Sequence, residues 1–278
     1  MTVGSERSPG KRVLEHELRQ EMIRIGRLMW ERGYVAATDG NLSARLGPDR
    51  LLVTASGLSK GFLTTDDLVM IQLDGEPVPS YRGRALRASS EISMHLEVYR
   101  QRPDVNAVVH AHPPIATAFS IAGVSLARCV IPEVIVTLGS IHTAGYATPG
   151  TGEVPAQIRE AIRDHEAIIL AHHGSLTVGR SLWEAYLRLE KVEHTAEITL
   201  AAQQLGRVNT LTPEAVEKLA AKRRDLLQRE GRDICEGCSV CVMGDEYPLA
   251  AINVDETTLA RQIARAVATN IQGEVQRQ

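Results

Sequence analysis

Apolar positions recur at helical spacing in several stretches of the chain, and short runs that alternate or are wholly apolar lie between them. Residues 13–33 carry Leu14, Leu18, Met22, Ile25, Leu28 and Met29 on one face and meet a stop at Gly33, which predicts an amphipathic helix. Asp39, Gly40 and Asn41 then form a turn signal, followed by alternating Leu42, Ala44 and Leu46. A second turn at Gly47-Pro48-Asp49 leads into the strand-like LLVTAS (51–56), so the two segments read as a hairpin. A capped helical turn at Thr65, a strand at 69–73 and a turn at Asp74-Gly75 complete this part.

The next stretch, 88–103, predicts a helix that opens at Ser89 or Ser90, buries Ile92, Leu96 and Tyr99, and stops before Pro103. An apolar run from Val105 to Val109 then delivers His110 and His112 and ends at Pro113-Pro114. A short helix at 115–122, a mixture of turns and short apolar runs over 124–148, and a helix at 153–164 follow. The run Ala167 to Ala171 ends in His172, His173 and Gly174, and SLTVG after it suits another strand. A long helix from about Leu182 to Leu205 turns Ala185, Tyr186, Leu189, Val192, Ala196 and Leu200 inward. Hairpins mixed with helices, rather than strict strand–helix alternation, favour a layered α/β fold on a mixed, mostly antiparallel sheet. No repeat is present, and the compact unit is expected to end near residue 230, giving a domain over 13–230 after a disordered tail at 1–12.

Strand geometry turns this pattern into chemistry. Residues two apart on a strand share a face, so His110 and His112 present two imidazoles together. Alone, they read equally well as surface histidines. A second strand-like run ending in histidine changes that. His110, His112 and one of His172 or His173 suggest a three-histidine metal site with an open position for substrate oxygens. Glu91 opens a helix just before the metal strand, as a capping residue or as a base beside the metal. The helix start would favour its anionic form and burial its neutral form. Gly40-Asn41, Ser56-Gly57 and Ser89-Ser90 combine small residues, hydroxyls, an amide and backbone N–H groups, the materials of a phosphate cradle.

Composition narrows the function classes. The chain has 278 residues, 44% hydrophobic, with 31 basic and 34 acidic residues and a net charge of −3. That is enough apolar content for a sizeable core, and the mean hydropathy of −0.11 is that of a water-soluble chain. A net negative charge and only 4% aromatics leave no basic field or stacking platform for nucleic acid. No apolar run reaches the ~18 residues of a membrane span, and the first dozen residues lack a signal-peptide core, so a cytoplasmic setting is expected. Cys129 stands apart from Cys235, Cys238 and Cys241 in CEGCSVC, and no disulfide framework is expected.

The motifs TDGNLS (38–43), TASG (54–57), SSE (89–91) with His95 and Tyr99, VVHAHPP (108–114), YATPGT (146–151) and AHHG (171–174) occur in one order. In that order and spacing the chain resembles the class II aldolase/adducin family, most closely the fuculose-1-phosphate aldolase type, across roughly 14–205. The resemblance implies a three-layer α/β/α fold and a C4 homotetramer with sites at subunit interfaces. It implies one Zn²⁺ per subunit on His110, His112 and His173, the last chosen because the family's third ligand immediately precedes the glycine, with His172 as a neighbour. Glu91 would be the acid/base, and Asn41, Ser56, Gly57, Ser89 and Ser90 would hold the substrate phosphate. The implied reaction is retro-aldol cleavage of a 6-deoxyketose 1-phosphate, fuculose or rhamnulose 1-phosphate, to dihydroxyacetone phosphate and lactaldehyde.

Alternatives on the same scaffold are a pentulose-5-phosphate 4-epimerase, a sugar-acid phosphate decarboxylase, a thioribulose-phosphate dehydratase and a non-catalytic adducin-like scaffold. The epimerases tend to carry aspartate where Glu91 stands, and adducin-type domains lose the histidines. One departure is plain: residues 124–136 (VSLARCVIPEVIV) lack the tyrosine that the fuculose-phosphate enzymes carry soon after the metal histidines.

Beyond the family's span, CEGCSVC in a linker at 231–254 has spacing suited to free thiols, Zn²⁺ or an iron–sulfur cluster. In the segment 255–278, Asp255 can cap a helix over 255–272 striped by Leu259, Ile263, Val267 and Ile271. A linker followed by such a helix resembles the encapsulation peptides of bacterial microcompartment cargo, which implies a shell protein as partner and a compartment lumen as location. Packing on the chain's own core or at a tetramer interface is the other reading.

Overall fold

The computed structural model describes residues 9–79 and 86–229. The first helix, α1 (Pro9–Glu31), begins earlier than the periodicity suggests and ends before Gly33, whose φ of +72° suits the stop. Strands β1 (Asn41–Gly47) and β2 (Arg50–Thr54) form the expected hairpin, and β3 (Leu68–Gln72) pairs with β2. Then come helix α2 (Ile92–Gln101), strand β4 (Ala107–Ala111), and helices α3 (Pro114–Ile121) and α4 (Pro132–Thr137). Strand β5 (His142–Ala144), helices α5 (Glu153–Ile158) and α6 (Ala161–Asp164), and strands β6 (Ala167–Leu170) and β7 (Gly174–Gly179) follow. Helices α7 (Leu182–Gln204) and α8 (Pro213–Arg229) end the described chain.

The seven strands form one sheet in the order β3-β2-β1-β4-β7-β6-β5. Every pairing is antiparallel except β5 with β6, so the sheet is mixed and mostly antiparallel, as the sequence pattern suggested. Alternation along the strands sends their side chains to two layers. Val108 faces Met94, Val98 and Tyr99 of α2 and Ile158 of α5. Ala107, Val109 and Ala111 face Met22, Ile25 and Met29 of α1 and Ala185 and Leu189 of α7. The result is the α/β/α sandwich, with β4 near its centre. A third cluster joins α3, α4 and β6 to the far half of α7.

Two differences from the sequence pattern have local causes. The helix expected at 153–164 is two short helices, yet Ile158 and Ile162 remain four apart and both buried, so the inward face continues across the break. Helices α4 and α8 were not evident from apolar runs. Each starts with proline at its first position, and α8 buries Val216, Ala220, Arg223 and Leu227 at helical spacing. No described helix is long and apolar enough to cross a membrane. Cys235, Cys238, Cys241 and the helix expected at 255–272 lie outside the described residues.

Leu189 is fully buried between α7 and the sheet, whereas Leu205 is 91% exposed. Leu189→Ala should lower unfolding free energy by about 2–5 kcal/mol in urea titrations, and Leu205→Ala by less than about 0.5 kcal/mol.

Candidate metal centre

The sheet register builds the site. Asn41 of β1 sits opposite His110 of β4, and β7 flanks β4 on the other side with Ser175 opposite Ala111. His110 is fully buried, and its Nδ1 donates to the Ser175 carbonyl at 2.8 Å. In the neutral ring this leaves Nε2 as a lone pair aimed away from the strand. His112 lies one step beyond the end of β4, where Pro113 and Pro114 stop the strand and Pro114 begins α3.

The third histidine depends on backbone geometry. His172 has a φ of +59°, a conformation rare outside glycine and asparagine. That kink sends the His172 ring toward Tyr146, 6.2 Å between centroids, and turns His173 inward. His173 packs at centroid distances of 4.8 Å from His110 and 4.9 Å from His112. Gly174 follows because nothing larger fits. A Cβ there would collide with the Ala111 carbonyl oxygen and lie 2.7 Å from His112 Cδ2.

Glu91 closes the group. Its Oε1 is 3.1 Å from His173 Nε2 and its Oε2 is 3.4 Å from His110 Nε2, while His112 Nε2 lies 3.1 Å from His110 Nε2. Ligand atoms of Glu91, His110, His112 and His173 all fall within 4.8 Å of one another. Imidazole lone pairs and a carboxylate at such separations repel unless a proton or a cation sits among them. Three imidazoles and one carboxylate are also the donor set of a divalent transition metal, so these residues fit a metal ion. His112 Nδ1 is 3.4 Å from Asp39, the kind of outer carboxylate that orients a ligating ring.

Burial pushes the His112 ring down to about 4, with His110 and His173 acting the same way, so it is neutral near pH 7 and able to ligate. For Glu91, burial acts upward, but a proton on the facing nitrogens of His110 and His173 outweighs it and holds the carboxyl well below the usual range.

The phosphate candidates meet in part. Ala55 bridges Ala88, Ser56 N donates to the Arg87 carbonyl, and Ser89 N donates to that of Thr54. This short pairing brings Ser56 and Gly57 beside Ser89 and Ser90 at the start of α2. Ser56, Gly57 and Ser90 are exposed, and Ser89 Oγ accepts from Glu91 N at 3.3 Å. Asn41 is placed differently. Its side-chain oxygen contacts His95 Nε2 at 2.5 Å, and its amide nitrogen donates to Glu91 Oε2 at 2.9 Å.

Two residues with no role assigned from the sequence also border the site. His95 is buried behind Asn41, and its signal was its place in the SSE segment four residues after Glu91. Lys60 is buried, with Nζ donating to the Thr38 carbonyl at 2.9 Å and to that of Leu58; burial pushes it down to about 8, against the opposing pull of Asp39 and Glu91. A charged residue in a turn-rich loop gave no sequence cue to burial.

The comparisons agree with this geometry. Residues 20–200 match the model of the Class II Aldolase and Adducin N-terminal domain. An L-fuculose phosphate aldolase of Methanococcus maripaludis is 35% identical over 66% of this chain and 97% of its own length. A 3-oxo-tetronate 4-phosphate decarboxylase of Escherichia coli is 33% identical over 66% of this chain and 87% of its own. The solved L-fuculose-1-phosphate aldolase of Thermus thermophilus superposes with a TM-score of 0.60 at 32% identity, covering 70% of this chain and 98% of that one.

Removing His173 should separate it from its neighbour. His173→Ala should weaken zinc binding by more than the ~10–100-fold typical of a lost outer partner, while His172→Ala should keep near-wild-type affinity in calorimetric titration. Equal losses in the two variants would overturn the assignment. A cluster of three histidines and a carboxylate at the ends of β4, β7 and α2, a family match across most of the described domain, and aldolase relatives together identify the chain as an enzyme of the class II aldolase and adducin N-terminal domain family.

Proposed function

We propose that this chain is a zinc-dependent aldolase that cleaves a 6-deoxyketose 1-phosphate, fuculose or rhamnulose 1-phosphate, to dihydroxyacetone phosphate and lactaldehyde. The observation that carries the reading is the convergence of Glu91 with His110, His112 and His173 beside a turn able to take a phosphate. A divalent cation held by the three histidines would supply Lewis-acid stabilisation of the negative charge that develops on the substrate's oxygens. Ser56, Gly57, Ser89 and Ser90 would grip the phosphate through hydroxyls and backbone N–H groups at the start of α2. Asn41 spends one amide N–H on Glu91 and has a second for the same phosphate.

Glu91 is the proton carrier in this reading. In the condensation direction its carboxylate removes the proton from the carbon beside the carbonyl of dihydroxyacetone phosphate. In cleavage the C4 hydroxyl gives up its proton as the C3–C4 bond breaks, and Glu91 delivers a proton to C3, so that one proton in net passes from that oxygen to carbon. The fuculose-phosphate aldolase likeness favours a ketose 1-phosphate. A second reading, decarboxylation of a 3-oxo sugar-acid phosphate, has its own support in the decarboxylase relative and in the absence of a tyrosine over 124–136.

We also propose a homotetramer, and that 255–272 is an encapsulation peptide recognised by a microcompartment shell protein; both rest on the family resemblance and the sequence pattern. Fluorescence of a reporter fused to 250–278 should concentrate within shells, and diffuse signal would count against targeting.

The deciding assay uses zinc-loaded protein with fuculose, rhamnulose and ribulose phosphates and a 3-oxo-tetronate 4-phosphate. Release of dihydroxyacetone phosphate from a 6-deoxyketose 1-phosphate is expected, and Glu91→Gln should lower kcat by about 10²–10⁴-fold while zinc remains bound. Carbon dioxide release with no ketose cleavage would transfer the assignment to the decarboxylase.

A further inference from the structure

A chain of hydrogen bonds crosses the buried layer between β1 and α2 and ends on Glu91. Tyr99 Oη and Ser43 Oγ are 2.9 Å apart, and Ser43 Oγ lies 2.6 Å from His95 Nδ1. His95 Nε2 meets Asn41 Oδ1 at 2.5 Å, and Asn41 Nδ2 donates to Glu91 Oε2 at 2.9 Å. Ser43, His95 and Tyr99 are at most 1% exposed, and Asn41 is 3% exposed, so water does not compete for these groups.

Chemistry fixes the direction of the whole chain. A carboxylate only accepts, so Asn41 must turn its amide N–H to Glu91. The Asn41 oxygen then faces His95 and only accepts, so His95 must carry its proton on Nε2. Nδ1 becomes the acceptor, the Ser43 hydroxyl donates to it, and the Tyr99 hydroxyl donates to Ser43. Burial pushes the His95 ring down to about 3, which keeps it neutral and leaves one tautomer to choose. With the proton on Nδ1 instead, the bare Nε2 would call for the Asn41 N–H. The amide would rotate, and its oxygen would oppose the Glu91 carboxylate.

We infer that His95 is a positioning residue which, through Asn41, fixes the Glu91 carboxylate against His110 and His173, with Ser43 and Tyr99 selecting its tautomer. The inference rests on the proposed role of Glu91 as proton carrier. Its content is specific: the donor at His95 Nε2 matters, beyond the filling of space.

The test compares His95→Gln, which keeps an N–H near the Nε2 position, with His95→Leu, which keeps volume and removes it. For zinc-loaded protein and the ketose phosphate it cleaves, His95→Leu should lower kcat on the order of a hundredfold, as a carboxylate displaced by about 1 Å would. Bound zinc should stay within about twofold of wild type, and His95→Gln should recover most of kcat. Histidine ¹⁵N NMR of the wild type should show His95 protonated at Nε2 and bare at Nδ1. Full activity in His95→Leu, equal losses in both variants, or a proton on Nδ1 would overturn the inference. Failure of the wild type to cleave any ketose phosphate would instead sink the proposed function. The NMR tautomer, with protection of the Asn41 side-chain amide in wild type and its loss in His95→Leu, would still decide the positioning chain.

Discussion

The mutual repulsion of four electron-rich groups is the constraint to which this structure answers. Three imidazole nitrogens and a carboxylate do not gather in a protein interior unless the fold forces them together and something positive occupies the space between. Here the forcing comes from the sheet. Antiparallel pairing of β4 with β7 presents the Ser175 carbonyl to His110 Nδ1, which turns the other nitrogen toward the cluster. Prolines end β4 just after His112, and Gly174 lets β7 approach closely enough to bring His173 in. Each device is local, yet each acts on an orientation that the cluster needs.

Holding a carboxylate at this point requires polar groups in the core, which must all be matched. The path from Glu91 through Asn41, His95 and Ser43 to Tyr99 meets that demand with one donor and one acceptor at every contact. Arg45 adds to the far end, its guanidinium 4.7 Å above the Tyr99 ring and donating to the Tyr99 carbonyl. A satisfied network of this kind is rigid, and the rigidity ends at the one group proposed to carry a proton. Glu193 performs a comparable service at α3, where its two oxygens accept from Ile115 N and Ala116 N and fix the helix that follows His112.

Much of this was legible in the sequence because it is local. Apolar runs ending in histidine marked β4 and β6, and alternation marked the β1–β2 hairpin. Ser56-Gly57 and Ser89-Ser90 stood out by composition as pieces of a phosphate cradle, and the bridge between Ala55 and Ala88 sets them side by side. What escaped was set by tertiary contact. The Ser175 carbonyl has no side-chain signature. The burial of Lys60 runs against its charge, and the engagement of Asn41 by His95 and Glu91 joins residues about fifty positions apart. Helix α8 escaped because its inward face includes an arginine. Arg223 is buried, yet it donates to the Val136 and Thr137 carbonyls at the end of α4.

The same reasoning explains why the cluster defines a reaction class more sharply than a substrate. Aldol cleavage and decarboxylation of a 3-oxo acid both leave electron density on the carbon beside a carbonyl, and both need that charge spread onto oxygen. A cation site with one adjacent carboxylate serves either. Relatives of nearly equal similarity, one named for aldol cleavage and one for decarboxylation, accord with that equivalence. Discrimination therefore belongs to groups that meet the departing fragment: an aldehyde needs a proton delivered or withdrawn at its oxygen, while carbon dioxide needs neither. In this chain the stretch that follows α3 provides α4, with Pro132 at its start and Glu133 in its first turn, and no phenol. The choice between the two substrates thus depends on whether another side chain delivers that proton, a condition independent of how well His110, His112 and His173 are held.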